Sequence, residues 1–439
     1  MQGKSLESYL EKNLSNVKYG DLLYIKKKRT ELTLGGGSFE ILEERDERVS
    51  CRVLDEGYAV VSTDKIDDEN INLTIQRAVK QARILKSNLE MVPVETEKGE
   101  VEKKAIKEFN LEDAKRILLN LQALIKEKLG YLFGGLEIIL NHTEVETKLV
   151  TTEGTNVTEK TNYIDISFYL AVRALSSGYS TKIIGGQGGL EILESRDWDS
   201  IINELIKKAL DYSNAQTLPP LERGNKFKVI FDYEGSGVIA HEVAKILSGS
   251  ELSKRYFSNL QIPKDLEIID NPEIAGAYGS FVWDSEGVRG KKKVLLKEDN
   301  IDLLHTRLTA KEGDKPGNAR GVTHLPRPSM SNVYIKPSDW KVKEIFEDTG
   351  EGIFVQGIRK VETNLSDGRI EFVPEIAYLI SNREIKRPLR NLRIVSTIRN
   401  IIQRMDAIGS LASLKPVIEK EYFLSEGGPF VRVNNVICS

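Results

Sequence analysis

The sequence predicts an α+β protein of two domains: an N-terminal α/β domain over 1–215 and a β-rich domain over 225–439, joined by a linker at 216–224. Three observations carry this expectation. The chain has 439 residues, 40% of them hydrophobic, which is more than one ordinary core needs. Apolar stripes at helical spacing alternate with strand-like runs up to about residue 215. Beyond about 265 the pattern changes to many short strands separated by Gly, Pro, Asn and Asp, as in a mostly antiparallel sheet or partial barrel.

The elements follow in order. MQGKSLESYLEKNL reads as an amphipathic helix without the apolar stretch of a secretion signal. From Gly20 a strand-rich segment continues to VLDEGYAVVST. A helix is expected over 67–85, capped by Asp67 or Asp68, with Ile71, Ile75, Ala78, Val79 and Ala82 on one face. Similar stripes predict helices at 110–129 and 198–213. Arg52-Val-Leu-Asp-Glu-Gly-Tyr58 and Arg173-Ala-Leu-Ser-Ser-Gly-Tyr179 share one pattern, each in strand-like sequence before a helix. A repeated sheet-plus-helix unit accounts for both.

After the Pro-Pro linker, KFKVIFD at 226–232 reads as a strand entering another helix. VLLKEDNIDLL, NVYIKP, RIEFVPEIAYLI and FVRVNNVI read as later strands, with short helical signals near 340–347 and 395–406.

Composition argues against several functions. A net charge of -3 gives no basic excess for nucleic acid. No window supplies the roughly 20 apolar residues of a membrane span. Two distant cysteines, Cys51 and Cys438, form no disulfide framework, so a cytoplasmic location is expected. High charge and scarce Gln fit a thermophile. Gly35–Gly37 and Gly185–Gly189 lack a phosphate-loop pattern and read as hairpin turns or a flexible lip. No G-x-S-x-G occurs, and Cys438, as the penultimate residue, is expected to fray.

GVIAHEVAKILSGS carries the clearest chemical signal. Ile239, Val243, Ile246 and Leu247 form its buried stripe, which leaves His241 on another face with Lys245 and Ser248. In a zinc helix of the HExxH type a second His at i+4 shares the ion, and the Glu activates a bound water. Here i+4 is Lys245 and i+5 is Ile246, so spacing alone favours a surface or interface histidine. His142, His305 and His324 could supply ligands from a distance. The loop Gly317–Asn332, with Asn318, Arg320 and His324, has the composition of a ligand-binding loop, or equally of a surface connection.

Taken in order, these segments resemble the TldD/PmbA (TldE) family, the so-called modulators of DNA gyrase. The resemblance rests on RVLDEGYAVVST with its following helix, on VIAHE, GNARGVTHLPRPSMSNVYI and TGEGIFV, and on EIAYLISNREIKRPLRNLRI, and it spans nearly the whole chain. The loop segments look more like the TldD side. The resemblance implies an enclosed cavity in a homodimer or a TldD/TldE heterodimer, peptides or unfolded segments as substrates, and in TldD a zinc held by HExxxH and a Cys.

Carried over residue by residue, His241 matches the first metal ligand and Glu242 the general base. Ile246 stands where the second His belongs, and no Cys occurs around 415–419, where the resemblance would place one. Zinc should therefore bind weakly, if at all. Three expectations follow: a peptidase with a reorganised metal site, a non-catalytic partner of an active TldD, or, weakest given the acidic balance, a gyrase- or DNA-associated protein. Asn318, Arg320, His324 and Lys245 are the candidate substrate contacts, Lys245 as a substitute for a metal's charge.

Overall fold

Each long helix of the N-terminal half starts where a side chain can accept its free N–H groups. In the computed structural model, which describes residues 5–249, 251–419 and 422–439, Asp67 accepts from Asn70 N, Asn110 from Glu112 N and Asp113 N, and Asp197 from Ser200 N. The first four residues of the predicted amphipathic segment lie outside the described residues.

The N-terminal half runs α1 (Leu6–Asn13), β1 (Tyr19–Gly35), β2 (Ser38–Leu54), β3 (Tyr58–Thr63), α2 (Asp68–Ile84), β4 (Lys98–Lys103), α3 (Leu111–Leu129), β5 (Phe133–Thr151), β6 (Asn156–Arg173), β7 (Ser177–Gln187), α4 (Glu191–Glu194) and α5 (Trp198–Asn214). Its seven strands form one sheet in the order β3-β2-β1-β5-β6-β4, with β7 also on β6. The sequence echo is a structural repeat: α1-β1-β2-β3-α2 and α3-β5-β6-β7-α5 meet where β1 pairs antiparallel with β5.

The shared glycine of the repeat has a backbone reason. A Cβ on Gly57 would lie 1.8 Å from Leu85 O, and one on Gly178 would lie 2.0 Å from Ala209 O. In each copy the hairpin presses against the backbone of the helix that follows. The shared arginines part ways, since Arg52 is fully buried and Arg173 is exposed. Gly36 and Gly37 form the predicted hairpin turn, both at positive φ. The second glycine cluster differs from expectation: Gly185 and Gly186 lie inside β7, paired with Asp165 and Ile164, because β7 passes too close to its neighbours there for a side chain.

The C-terminal half comprises β8 (Lys226–Phe231), α6 (Tyr233–Ile246), α7 (Glu251–Phe257), β9 (Ile268–Asp270), β10 (Lys293–Lys297), β11 (Asn300–Ile301), β12 (Ala319–Arg320), β13 (Arg327–Pro328), β14 (Asn332–Ile335), α8 (Val342–Thr349), β15 (Gly352–Thr363), β16 (Arg369–Ser381), β17 (Glu384–Leu389), β18 (Ile394–Thr397), α9 (Ile398–Gln403), β19 (Met405–Glu419) and β20 (Tyr422–Cys438). β20, β18, β16, β15 and β8 form a ring, since β8 pairs with β15 on one side and with β20 on the other. This is the partial barrel the strand spacing predicted. α6 leaves β8 and packs into the apolar core of this half through Ile239, Val243, Ala244 and Leu247.

Two contacts fix α6 and the junction of the halves. A Cβ on Gly237 would lie 2.7 Å from Gly427 Cα, so helix and β20 touch backbone to backbone. At the junction, Arg52 donates to both Asp21 oxygens at 2.8 and 3.0 Å, and Arg307 holds Glu153 at 2.7 and 2.9 Å. Glu286 accepts from Arg307 N at 2.7 Å, and burial together with repulsion from Asp284 lifts its carboxyl to about 8. No helix among the described residues is long and apolar enough to cross a membrane.

Candidate functional site

Asp232, the last residue before α6, caps the helix by accepting from Gly235 N at 2.8 Å, and also accepts from Gly357 N at 3.0 Å. Burial, with Glu234 nearby, raises its carboxyl to about 7. α6 is buried on every side, which corrects the expectation of an open face for His241: the residue is only 6% exposed. The face read as polar is covered by the hairpin of β19 and β20. One helix read alone does not reveal what a later hairpin places over it.

His241 lies between two carboxylates of that hairpin. Its Nε2 is 2.9 Å from Glu419 Oε2, and its Nδ1 is 2.9 Å from Glu426 Oε2. The second contact is an ion pair rather than an aligned hydrogen bond, because the carboxylate lies off the N–H direction. Burial disfavours the charged ring, but the contacts with the Glu419 and Glu426 carboxylates overcome it and raise His241 to about 9. The ring is an imidazolium at neutral pH.

Charges alternate outward from this pair. Glu426 Oε1 meets Lys415 Nζ at 3.1 Å, and Lys415 lies 3.7 Å from Glu234. Glu234 binds Lys182 of β7 at 3.0 Å, and Lys182 faces Glu204 of α5 at 3.6 Å. Burial opposes ionisation of Glu234, yet Lys182, Lys415 and Lys208 hold it down at about 2. The network thus runs from α6 into the N-terminal sheet.

This donor set does not fit a catalytic zinc, which takes three protein ligands converging on one ion. The two carboxylates engage opposite nitrogens of one ring. Ile246 is buried in the apolar core, and Lys245 Nζ sits 3.0 Å from Glu242 Oε1, on the candidate base itself. Among the described residues, no three His, Cys, Asp or Glu side chains are grouped to hold a metal.

The other histidines are placed apart. His142 stacks on Phe109 with ring centroids 4.5 Å apart, and His305 faces Asp314 at 3.5 Å. Cys438 corrects the expected fraying. It pairs with Ile394 in β20, is fully buried, and lies twelve residues along the strand from Glu426, about 40 Å at ~3.3 Å per residue.

A cavity of about 660 Å³ opens beside the hairpin, between the N-terminal sheet and the loops of the C-terminal half. Tyr163, Phe281, Trp283, Tyr422 and Phe423 give it aromatic walls, and Lys27, Arg29 and Arg320 give it cations. Arg320, one of the candidate substrate contacts, lines the cavity, its guanidinium 4.1 Å from the centre of the Phe281 ring. His324 reaches the wall through its Nε2, which accepts from Tyr422 OH at 3.1 Å. Asn318 is buried, donating to Asp270 at 3.2 Å, so it fastens the loop. Lys245 is paired with Glu242.

Sequence reading missed Glu419, Glu426 and Lys415 as partners of His241. Their signal was thin: three charged residues flanking Tyr422-Phe423 in strands otherwise destined for burial. Those strands begin far from His241 in sequence, and only the barrel's closure brings them to α6.

Helix, barrel and repeat together define a two-part α+β scaffold in which the histidine of the His-Glu helix is held between two carboxylates. The profile of the PmbA/TldA metallopeptidase C-terminal domain matches residues 224–439. A metalloprotease of Methanocaldococcus jannaschii is 29% identical over 430 residues, covering 91% of each chain. A zinc metalloprotease TldD homologue of Saccharolobus solfataricus is 27% identical over 58% of this chain and 60% of its own. TldE from Thermococcus kodakarensis superposes with a TM-score of 0.82 over 99% of both chains, at 15% identity. The chain belongs to the TldD/PmbA family.

Proposed function

We propose that this chain is a non-catalytic, peptide-holding subunit that works in a cytoplasmic dimer with a homologue bearing a complete metal site. One observation carries the reading: both nitrogens of His241 are held by carboxylates, and the candidate base Glu242 is held by Lys245. A water-activating site needs a free metal position and a free base. The cavity, with aromatic walls and charges of both signs, supports a role in holding extended polypeptide, since aromatic walls accept many side chains, cations bind carbonyls and carboxylates, and carboxylates bind N–H groups.

The test is hydrolysis of an unfolded polypeptide by the purified chain, alone and with a TldD homologue that has an intact HExxxH. The chain alone should be inert, and the mixture should cleave faster than the homologue by itself. Chelator-sensitive cleavage by the chain alone, lost in Glu242→Gln, would overturn the reading.

A further inference from the structure

We infer that His241 is a positioning residue that clips both strands of the β19–β20 hairpin to α6 and thereby sets the aromatic wall of the cavity. Glu419 ends β19, and Glu426 lies seven positions beyond it, on β20, which starts at Tyr422. In register Glu419 pairs with Tyr422 and Lys415 with Glu426, so the two carboxylates sit on opposite strands with one imidazole spanning them.

Strand alternation turns this clip into a lever. Leu424 and Glu426 face the core and α6. Phe423 and Ser425 face away from α6: Phe423 stacks on Tyr163 of the N-terminal half with centroids 4.0 Å apart and rings 9° from parallel, and Ser425 Oγ accepts from Tyr278 N, in a loop of its own half, at 3.1 Å. Lys27 Nζ stands 5.3 Å over the Phe423 ring, and Tyr422 donates to His324. α6 is the fixed point, held by its strand β8 in the barrel and by the Gly237–Gly427 contact. The residue at the first metal-ligand position therefore holds a binding wall in place.

The binding part of this inference rests on the proposed peptide-holding role, so the experiment separates the two. In the full chain, hydrogen exchange at the Phe423–Glu426 amides is compared among wild type, His241→Ala, Glu419→Gln and Glu426→Gln, and binding of a fluorescein-labelled unfolded peptide is measured alongside. Exchange should quicken at least tenfold in His241→Ala, and severalfold in each Gln variant, while α2 and α5 stay protected. Peptide affinity should fall by a similar factor. If His241→Ala does not fold, the Gln variants, each removing one arm, decide. Unchanged exchange in the variants that fold would refute the clip, as would stoichiometric, His241-dependent binding of added zinc. Faster exchange in a protein whose wild type binds no peptide supports the clip and sinks the peptide-holding role.

Discussion

Two clusters of buried charge join the halves of this molecule, and they are built from different cations. At one junction Arg52 and Arg307 face Asp21, Glu153 and Glu286. At the other, His241, Lys415 and Lys182 face Glu419, Glu426 and Glu234. A guanidinium keeps its charge at any pH the fold survives, and its planar fork grips a carboxylate in a fixed geometry. An imidazolium keeps its charge only while its partners are ionised and the pH is below its pKa. The first junction is therefore a permanent fastening, and the second is conditional. Both reach the cavity wall, the permanent one at Asp284 and Ser285 and the conditional one at the Tyr422–Phe423 segment between its two carboxylates.

The largest effect expected comes from breaking the permanent junction. Arg52→Met would leave Asp21, itself 1% exposed, as an unpaired buried carboxylate and should cost about 3–5 kcal/mol in urea unfolding. The conditional junction should show itself through pH. His241 rises from 6.5 to about 9 on folding, so its contribution is complete below about 6.5 and is lost as pH climbs through 9. That contribution is on the order of 3 kcal/mol. The urea midpoint of the wild type should fall between pH 6.5 and 9.5 more steeply than that of His241→Met; parallel profiles would remove the distinction between the junctions. The smallest effect belongs to the network's rim. Glu204 is 41% exposed and 3.6 Å from Lys182, so Glu204→Gln should change stability by less than about 1 kcal/mol.

Much of the fold could be read from local pattern. Helices α2, α3 and α5 carry their own stripes and caps, and the predicted starts at 67, 110 and 198 match the structure to within a residue. The repeat was legible because a glycine forced against a helix backbone leaves a mark in the sequence. The position of His241 was legible too, but its surroundings were not. Helical periodicity placed it off the apolar stripe, yet Glu419 lies 178 residues away in sequence and reaches it only through the barrel's closure. The same limit hid the role of Arg52, marked in the sequence as part of the repeat and found in the structure to bind Asp21 across β1 and β2.

The Gly237–Gly427 contact has a consequence for how this protein can change. With no side chain on either glycine, helix and strand lie as near as backbones allow, and Gly427 is itself pressed against Ser413 O, where a Cβ would lie 1.9 Å away. Three layers of main chain are thus stacked beside His241 without slack. A methyl group added at either glycine would widen the spacing that lets one imidazole span two carboxylates. Substitutions at 237, 241, 419, 426 and 427 are consequently not independent, and a route from ion pair to any other chemistry at this position must pass through variants in which the glycines stay as they are.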